Sequence, residues 1–298
     1  MRKTHIAIVL IFIACMGIYF YYRSRPEAVD DHMGPEIHME ETTIRVPSNA
    51  SEADILAGIT AVDAMDGDVT GNLFVEQLSN FVEKGRRNAT IAAIDSSNHV
   101  TKTSREVVYT DYHSPLFEMR SPLVFNVGSV SPLDYLNAYD PIDGDVTDKI
   151  VISDKFSIST STPGEYPMLF SVTNSAGDVS ELPVTVSVRD PYAENKSSGP
   201  TVTLATGLIN VPVGEGADVF SYVQSVRMGN ITYTRRDDGN LHTDADWERL
   251  EIPEQLTMYD MAVEGPIDFN TVGSYELKLH FTDFDGNDGW NRIIVFVY

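Results

Sequence analysis

A short acidic phrase occurs twice in this chain. Asp66-Gly67-Asp68-Val69-Thr70 returns as Asp143-Gly144-Asp145-Val146-Thr147, and each copy has a further Asp three positions upstream, Asp63 and Asp140. Carboxylates gathered on a short flexible loop are the ligands Ca²⁺ takes, with about six to eight oxygens at about 2.3–2.6 Å. Asp63, Asp66 and Asp68, and again Asp140, Asp143 and Asp145, are therefore candidate calcium ligands. Asp111 and Asp190 stand at segment ends, where an ion between domains could be held. The competing reading needs no ion. An Asp-Gly step is a turn, because Gly takes positive φ cheaply and Asp bonds its own backbone, so the same residues serve as caps on turn N–H groups. The turn reading is the favoured one.

Other chemistry is thinly represented. Asp244-Ala245-Asp246-Trp247-Glu248 puts acids beside an aromatic in a polar stretch. Trp247, Asp244 and Asp246 are the candidate ligand-binding residues there, and paired carboxylates could also cleave a glycosidic bond. With 44 acidic residues in the chain, adjacent acids are weak evidence for catalysis. There is no phosphate loop ending in Gly-Lys-Ser/Thr and no His-Glu-x-x-His helix, nor a Gly-x-Ser-x-Gly elbow. The 7 His are scattered and the 1 Cys, Cys15, lies in the apolar N-terminus. No catalytic residue is assigned, no cofactor is required, and calcium is the one ion considered.

The elements that position these residues follow from period and punctuation. Tyr166, Met168, Phe170 and Val172 alternate with Glu165, Pro167, Leu169 and Ser171; Val184, Val186 and Val188 alternate with Thr185, Ser187 and Arg189; Tyr275, Leu277, Leu279 and Phe281 alternate with Glu276, Lys278, His280 and Thr282. Period two gives one buried and one wet face, as in an antiparallel sandwich. Shorter strands are expected at Thr43–Val46, Ile91–Ile94, Arg105–Tyr109, Leu123–Val127 and Lys149–Ser153, and a cap or turn at Asn49-Ala50-Ser51-Glu52. Three closing hairpins align on Asp95, Asn174 and Asp283, which puts Asn98, Gly177 and Gly286 in one left-handed column.

Domain organisation follows. Arg2 and Lys3 precede an uncharged run from Ile6 to Tyr22, closed by Arg23 and Arg25. That length is at the short end of a bilayer span and long for a signal-peptide core, so 1–25 is expected to be an uncleaved signal anchor, a single transmembrane helix. Residues 26–41, polar and containing His32 and His38, are expected to be a flexible stalk. Three β domains follow at 42–110, 111–190 and 191–298, the last carrying an insertion at about 227–264. The net charge of −23 disfavours nucleic acid and anionic membrane surfaces as partners.

The order of phrases resembles tandem bacterial immunoglobulin-like surface domains, with an Asp-x-x-Asp-Gly-Asp-Val/Ile-Thr phrase, a Pro-Gly-x-Tyr step and an Asp-x-x-Gly-Asn turn. Asp140 to Thr147, Pro163 to Tyr166 and Asn174 to Asp178 carry it in the second domain, with Asn174 and Asp178 departing from Asp and Asn. Asp63 to Thr70 carries it in the first, which lacks the Gly-x-Tyr step. The third keeps Gly273-Ser274-Tyr275 and Asp283 to Asn287 and lacks the acidic phrase. The resemblance implies an all-β fold, tandem immunoglobulin-like β-sandwiches behind a single N-terminal transmembrane helix. It further implies a non-catalytic, membrane-anchored extracellular protein, single-pass in the cell membrane, acting as an adhesion, binding or spacer module for a protein or glycan ligand. Two alternatives stay open. One is a carbohydrate- or protein-ligand receptor or hydrolase with its site in the third-domain insertion. The other is an accessory subunit of a cell-envelope complex.

Overall fold

The computed structural model describes residues 2–24, 33–155, 157–190 and 199–298. Apart from the N-terminal helix α1 (Arg2–Arg23) and two short helices, α2 (Glu52–Leu56) and α3 (Trp247–Leu250), the regular structure is strand and short 3-10 turns. From Ile11 onward the side chains of α1 are exposed. Among the described residues no helix is long and apolar enough to cross a membrane, so the expected transmembrane span finds no support in the structure. The expected stalk needs correction. Residues 25–32, with His32, lie outside the described residues, but Glu36–Met39 is a strand that pairs antiparallel with Ile59–Asp63. Glu-Ile-His-Met already alternates, and that short period was hidden by the acidic composition around it.

Among the described residues the strands form six sheets, which fall into an N-terminal, a central and a C-terminal pair along the chain. The N-terminal pair joins a three-stranded sheet, 36–39, 59–63 and 67–68, to a four-stranded one, 43–46, 100–109, 86–94 and 73–78. The central pair joins 144–145, 136–140 and 116–119 to 151–152, 164–173, 179–189 and 124–126. The C-terminal pair joins 201–204, 223–228, 231–235, 241–243 and 255–256 to 208–211, 288–297, 273–282 and 261–264. The long alternating runs are the central hairpins, with Gly164 opposite Val188 and Thr173 opposite Val179, and Gly273 opposite Val297 and Thr282 opposite Asp288. By contact density the chain forms two compact units. One is Met1–Ile44, Ser51–Leu78 and Ala89–Glu106; the other is Arg45–Ala50, Ser79–Asn88 and Val107–Tyr298.

Within the first unit, Ala61, Val69 and Ala93 are buried with Ile37 and Leu73 against them. Ser51 caps α2 with Asp54 in a reciprocal capping box, as the Asn-Ala-Ser-Glu run predicts. At the other end of α2, the buried Arg105 donates from Nη1 to the carbonyls of Ile55 at 2.8 Å and Ala57 at 2.7 Å.

Within the second unit the central and C-terminal sheet pairs share one buried cluster. Leu208, Ile294 and Phe296 of the C-terminal pair lie in one buried cluster with Phe117, Leu136, Met168, Phe170 and Val186 of the central pair. The expected second and third β domains therefore share buried side chains. Polar groups also cross the join: Gly207 N donates to Met119 O at 2.9 Å, Thr206 Oγ1 to the same carbonyl at 2.8 Å, and Asn210 Nδ2 to Phe117 O at 2.8 Å. The expected insertion is not a decoration either. Tyr233, Leu241 and Leu256 are buried in the C-terminal core, because most of the segment supplies strands of the five-stranded sheet.

The close approach at Gly207 is possible only without a side chain. A Cβ there would sit 2.6 Å from the carbonyl carbon and 2.7 Å from the oxygen of Ser121, both backbone atoms that cannot swing away. Gly207→Ala is expected to lower stability by about 1–3 kcal/mol, the usual range for overpacking, read from denaturant unfolding of the full chain. A midpoint equal to wild type would show that the approach is looser than described.

Candidate functional site

Both acidic phrases fold into the same network. Asp63 and Asp140 are buried, at 3% and 0% exposure. Asp63 Oδ1 accepts from Met65 N at 2.8 Å and Asp66 N at 2.9 Å; Asp140 Oδ1 accepts from Ile142 N at 2.8 Å and Asp143 N at 3.0 Å. The second Asp of each phrase reaches across to the closing turn. Asp66 accepts from Ser96 N at 2.7 Å and Ser96 Oγ at 2.8 Å, and Asp143 from Ser175 N at 2.7 Å and Ser175 Oγ at 2.5 Å. The third holds the following Thr: Asp68 accepts from Thr70 N at 2.9 Å and Asp145 from Thr147 N at 3.0 Å. The Thr70 and Thr147 hydroxyls in turn accept from Ala61 N and Ala138 N at 3.1 and 3.0 Å.

These partners set the charge state. The Thr70 and Thr147 hydroxyls and N–H groups hold Asp68 and Asp145 below the ordinary carboxylate range. Burial works to raise Asp143, but Lys149 and Ser175 outweigh it and the carboxyl sits low. The three carboxylates of a phrase thus point to three different targets. Among the described residues no three acidic, His or Cys side chains are placed to hold one metal ion. Asp111 serves a turn as well, accepting from Ser48 N at 2.7 Å.

The closing turns repeat with equal fidelity. Asp95, Asn174 and Asp283 each accept, through the side-chain oxygen, from the N–H four residues on at 2.8, 2.9 and 2.7 Å. Asn98, Gly177 and Gly286 take φ of 67°, 80° and 83°, the left-handed column expected from sequence. In the central pair, Asn174 also donates from Nδ2 to Asp140 Oδ2 at 3.0 Å and to Tyr112 OH at 2.8 Å. Tyr112 donates on to Asp178 Oδ2 at 2.7 Å. Burial first, and Asp178 second, push the Tyr112 phenol far up, so it stays a donor. Sequence reasoning missed Ser96, Ser175 and Tyr112 as members of these networks. A Ser directly after the aligned Asp95 and Asn174 was the available signal.

The predicted ligand residues lie at and just before the start of α3. Asp244 is exposed and paired with Arg236. Asp246 precedes α3 without a side-chain cap bond, and Trp247, 37% exposed, starts that helix. A cleft does form elsewhere, between the central and C-terminal sheets. Met119, Leu123, Val184 and Ile294 wall it, and Trp290 and Arg292 line it with them. Arg292 pairs with Glu165 Oε2 at 3.0 Å and, off the line of its Nε–H, with Glu276 Oε1 at 2.7 Å. Arg189, Lys278 and Arg292 stand 5.8, 5.2 and 5.5 Å from the centre of the Trp290 ring.

Residues 118–188 match the family described as bacterial surface protein, Ig-like domain. The matched residues lie within the central sheet pair, which is therefore similar to that family's immunoglobulin-like domain. An uncharacterized 81.3 kDa protein of Acholeplasma phage L2 is 26% identical over 200 residues, which is 66% of this chain and 24% of that protein. The chain therefore spans less than a quarter of that relative's length. Among solved structures, the lipoprotein BT2262 from Bacteroides thetaiotaomicron is 16% identical, over 60% of this chain and 98% of its own, with a TM-score of 0.23. The CBM51-2 and INT domains of Clostridium perfringens ZmpB, in complex with GlcNAc, are 19% identical over 61% and 41%, with a TM-score of 0.26. Human CDH23 EC21-23 is 11% identical over 88% and 100%, with a TM-score of 0.20. At such scores the likenesses decide nothing about ligand or activity.

His280 makes a testable electrostatic staple across three strands. Its Nδ1 faces Asp288 Oδ2 and its Nε2 faces Glu264 Oε2, both at 2.9 Å. Only the imidazolium donates to both. Asp288 raises the His280 pKa, burial opposes it, and Glu264 adds to the rise. A raised folded value means that this stability is fully present below the unfolded value of about 6.5 and is lost as pH rises through the folded one. The wild-type melt is expected to fall from pH 6 to pH 9 by more than that of His280→Gln. Parallel curves for the two would show the staple carries no linkage.

Proposed function

We propose that this chain is a non-catalytic surface protein whose three immunoglobulin-like modules, arranged in tandem, present binding faces and set spacing outside the cell. One observation supports this reading most: the side chains with the most chemical promise, the carboxylates of both acidic phrases, are engaged by N–H and hydroxyl groups of their own turns and of the closing turns. On this reading Asp63, Asp66, Asp68, Asp140, Asp143 and Asp145 are frame, and neither calcium nor another cofactor is needed. On this reading the modules keep the boundaries expected from sequence, with the first extended back to the strand at Glu36. The ligand is a protein or glycan, not nucleic acid, and it docks on the exposed Trp247 beside Asp244 and Asp246. Attachment to the cell membrane through the N-terminal segment enters from sequence, from the uncharged run Ile6–Tyr22.

A second placement of the ligand is favoured by Trp290. An aromatic ring with three cations around it is distinctive on a chain of net charge −23, and clefts between packed domains are common ligand sites.

Two measurements test this. The full chain, screened on protein and glycan arrays, is expected to bind without turnover, and Trp247→Ala is expected to lose at least about tenfold, the scale of one aromatic anchor, at an unchanged melt. Loss with Trp290→Ala instead moves the ligand to the cleft, and a cleaved ligand would contradict the non-catalytic reading. On fractionation the full chain should sediment with membranes and be released by detergent but not by salt, whereas a chain lacking residues 1–25 stays in the supernatant. Release by salt alone would contradict the anchor.

A further inference from the structure

The chain contains five Asp-Gly steps, at Asp66, Asp143, Asp238, Asp285 and Asp288. At such a step the backbone nitrogen of the Gly can attack the Asp side-chain carbon, because no Cβ crowds it and the backbone turns freely. Four of the five carboxyls are held. Ser96 donates to Asp66 from N and Oγ, and Ser175 does the same for Asp143. These contacts lock the two acidic phrases, and Lys149 Nζ adds a bond to Asp143 at 2.8 Å. Asp238 accepts from Asn240 N at 2.9 Å and faces His242 Nε2 at 2.7 Å. Asp288 faces His280 Nδ1 at 2.9 Å.

Asp285 differs. It is exposed in the closing turn between the strands 273–282 and 288–297, and its N donates to Asp283 Oδ1 at 3.0 Å. Among the described residues nothing is bonded to its carboxyl. The sequence accounts for this. In the other two closing turns a Ser follows the aligned Asp95 or Asn174 and ties the turn to an acidic phrase. Here Phe284, 59% exposed, stands in that column, and the third module has no acidic phrase to tie to. Gly286 takes a φ of 83°. Its nitrogen is restrained by an exposed backbone bond, Gly286 N to Asp283 O at 3.1 Å, and exposed turn bonds open at little free-energy cost.

We propose that Asp285-Gly286 is a site of spontaneous backbone isomerisation, and that the locks at Asp66 and Asp143 protect their own Asp-Gly steps from the same reaction. The step needs no cofactor. Gly286 N bonds to Asp285 Cγ and one Cγ–O bond breaks. The amide proton and a proton from solvent leave with that oxygen as water, and a cyclic imide remains. Water then adds to one of the two imide carbonyls and its C–N bond breaks. Opening at Cγ restores aspartate. Opening at the backbone carbonyl leaves the chain running through Cβ and Cγ, with the former backbone carbonyl as a free carboxylate. A carboxyl pinned by donors must give up those bonds before the nitrogen can reach Cγ, so the held steps are slow. The product lengthens the backbone of the turn by one carbon. The bonds from Asp283 N to Asn287 O at 2.9 Å and from Asn287 N to Asp283 Oδ1 at 2.7 Å span that carbon, so the end of the hairpin loosens.

The test is peptide mapping of the full chain after prolonged warm incubation in H₂¹⁸O, native and in guanidinium chloride, with fragmentation that tells β-linked from α-linked aspartate. Each imide event leaves one ¹⁸O. The denatured chain calibrates each step with its carboxyl released. In the native chain Asp285 should keep a rate near its denatured value. Asp66, Asp143, Asp238 and Asp288 should each slow by at least about tenfold, the factor that one charged hydrogen bond represents. Asp285→Asn should speed the reaction, because ammonia leaves more readily than water on the way to the same imide, and Asp285→Ser should abolish it at this step. Ser96→Ala should raise the native rate at Asp66 and not at Asp143. Should that variant fail to fold, the native-to-denatured ratios of the wild type decide alone. A native Asp285 slowed as much as the four held steps would overturn the proposal, and so would native product at Asp66 or Asp143 equal to that at Asp285.

Discussion

A carboxylate without water needs donors, and in this protein the donors are the backbone N–H groups of a turn. Burying Asp140 removes a charge from solvent, and two turn N–H groups plus an Asn amide replace the lost hydration. The exchange also works in the other direction, because those N–H groups have no strand partner and would themselves be orphaned. Each lock thereby ties the end of one sheet to a fixed loop. The second Asp of the phrase then bonds the Ser of the closing hairpin, so opposite sheets of one sandwich are held by a few short contacts at one end. The apolar faces behind them supply the bulk of the stability; the locks decide which ends of which strands meet.

The same logic of local satisfaction governs the join between the central and C-terminal sheets. Leu208, Ile294 and Phe296 bury their side chains with the central core, and the backbone around Gly207 follows. Arg292, nearly buried, sits between Glu165 and Glu276. Glu165 and Glu276 stay partly exposed, so the pairing itself contributes little net stability, but removing both acids would leave the buried Arg292 charge without its ion pairs. The pairing's physical effect is to penalise any other register of the two sheet pairs.

Much of the fold was legible because its signals are local. Period-two alternation placed the hairpins 164–189 and 273–297 closely, and the column of Asn98, Gly177 and Gly286 was fixed by a backbone need that few residues meet. The capping box at Ser51 was readable for the same reason. What escaped depends on contacts far apart in sequence. Glu36–Met39 pairs with residues beyond position 58, and its polar neighbours masked a four-residue strand. The segment 227–264 looked inserted because its turn columns were displaced, although Tyr233, Leu241 and Leu256 are core. Of the site, the acidic Asp residues were visible, but their role was decided by where Ser96, Ser175 and Tyr112 lie in space. Trp290 gave no sign of itself, since its three cations come from separate strands.

The central claim is that the repeated acidic phrases are structural locks. It is tested most directly by calorimetric melts of the full chain and of Asp140→Ala, each with EDTA and with millimolar Ca²⁺. The account predicts that wild type melts alike in both buffers, and that Asp140→Ala is destabilised by roughly 2–4 kcal/mol, for two orphaned N–H groups and an unmet Asn amide, by the same amount in each. A wild-type midpoint raised by Ca²⁺, with a variant that matches wild type in EDTA and loses only that rise, would contradict it.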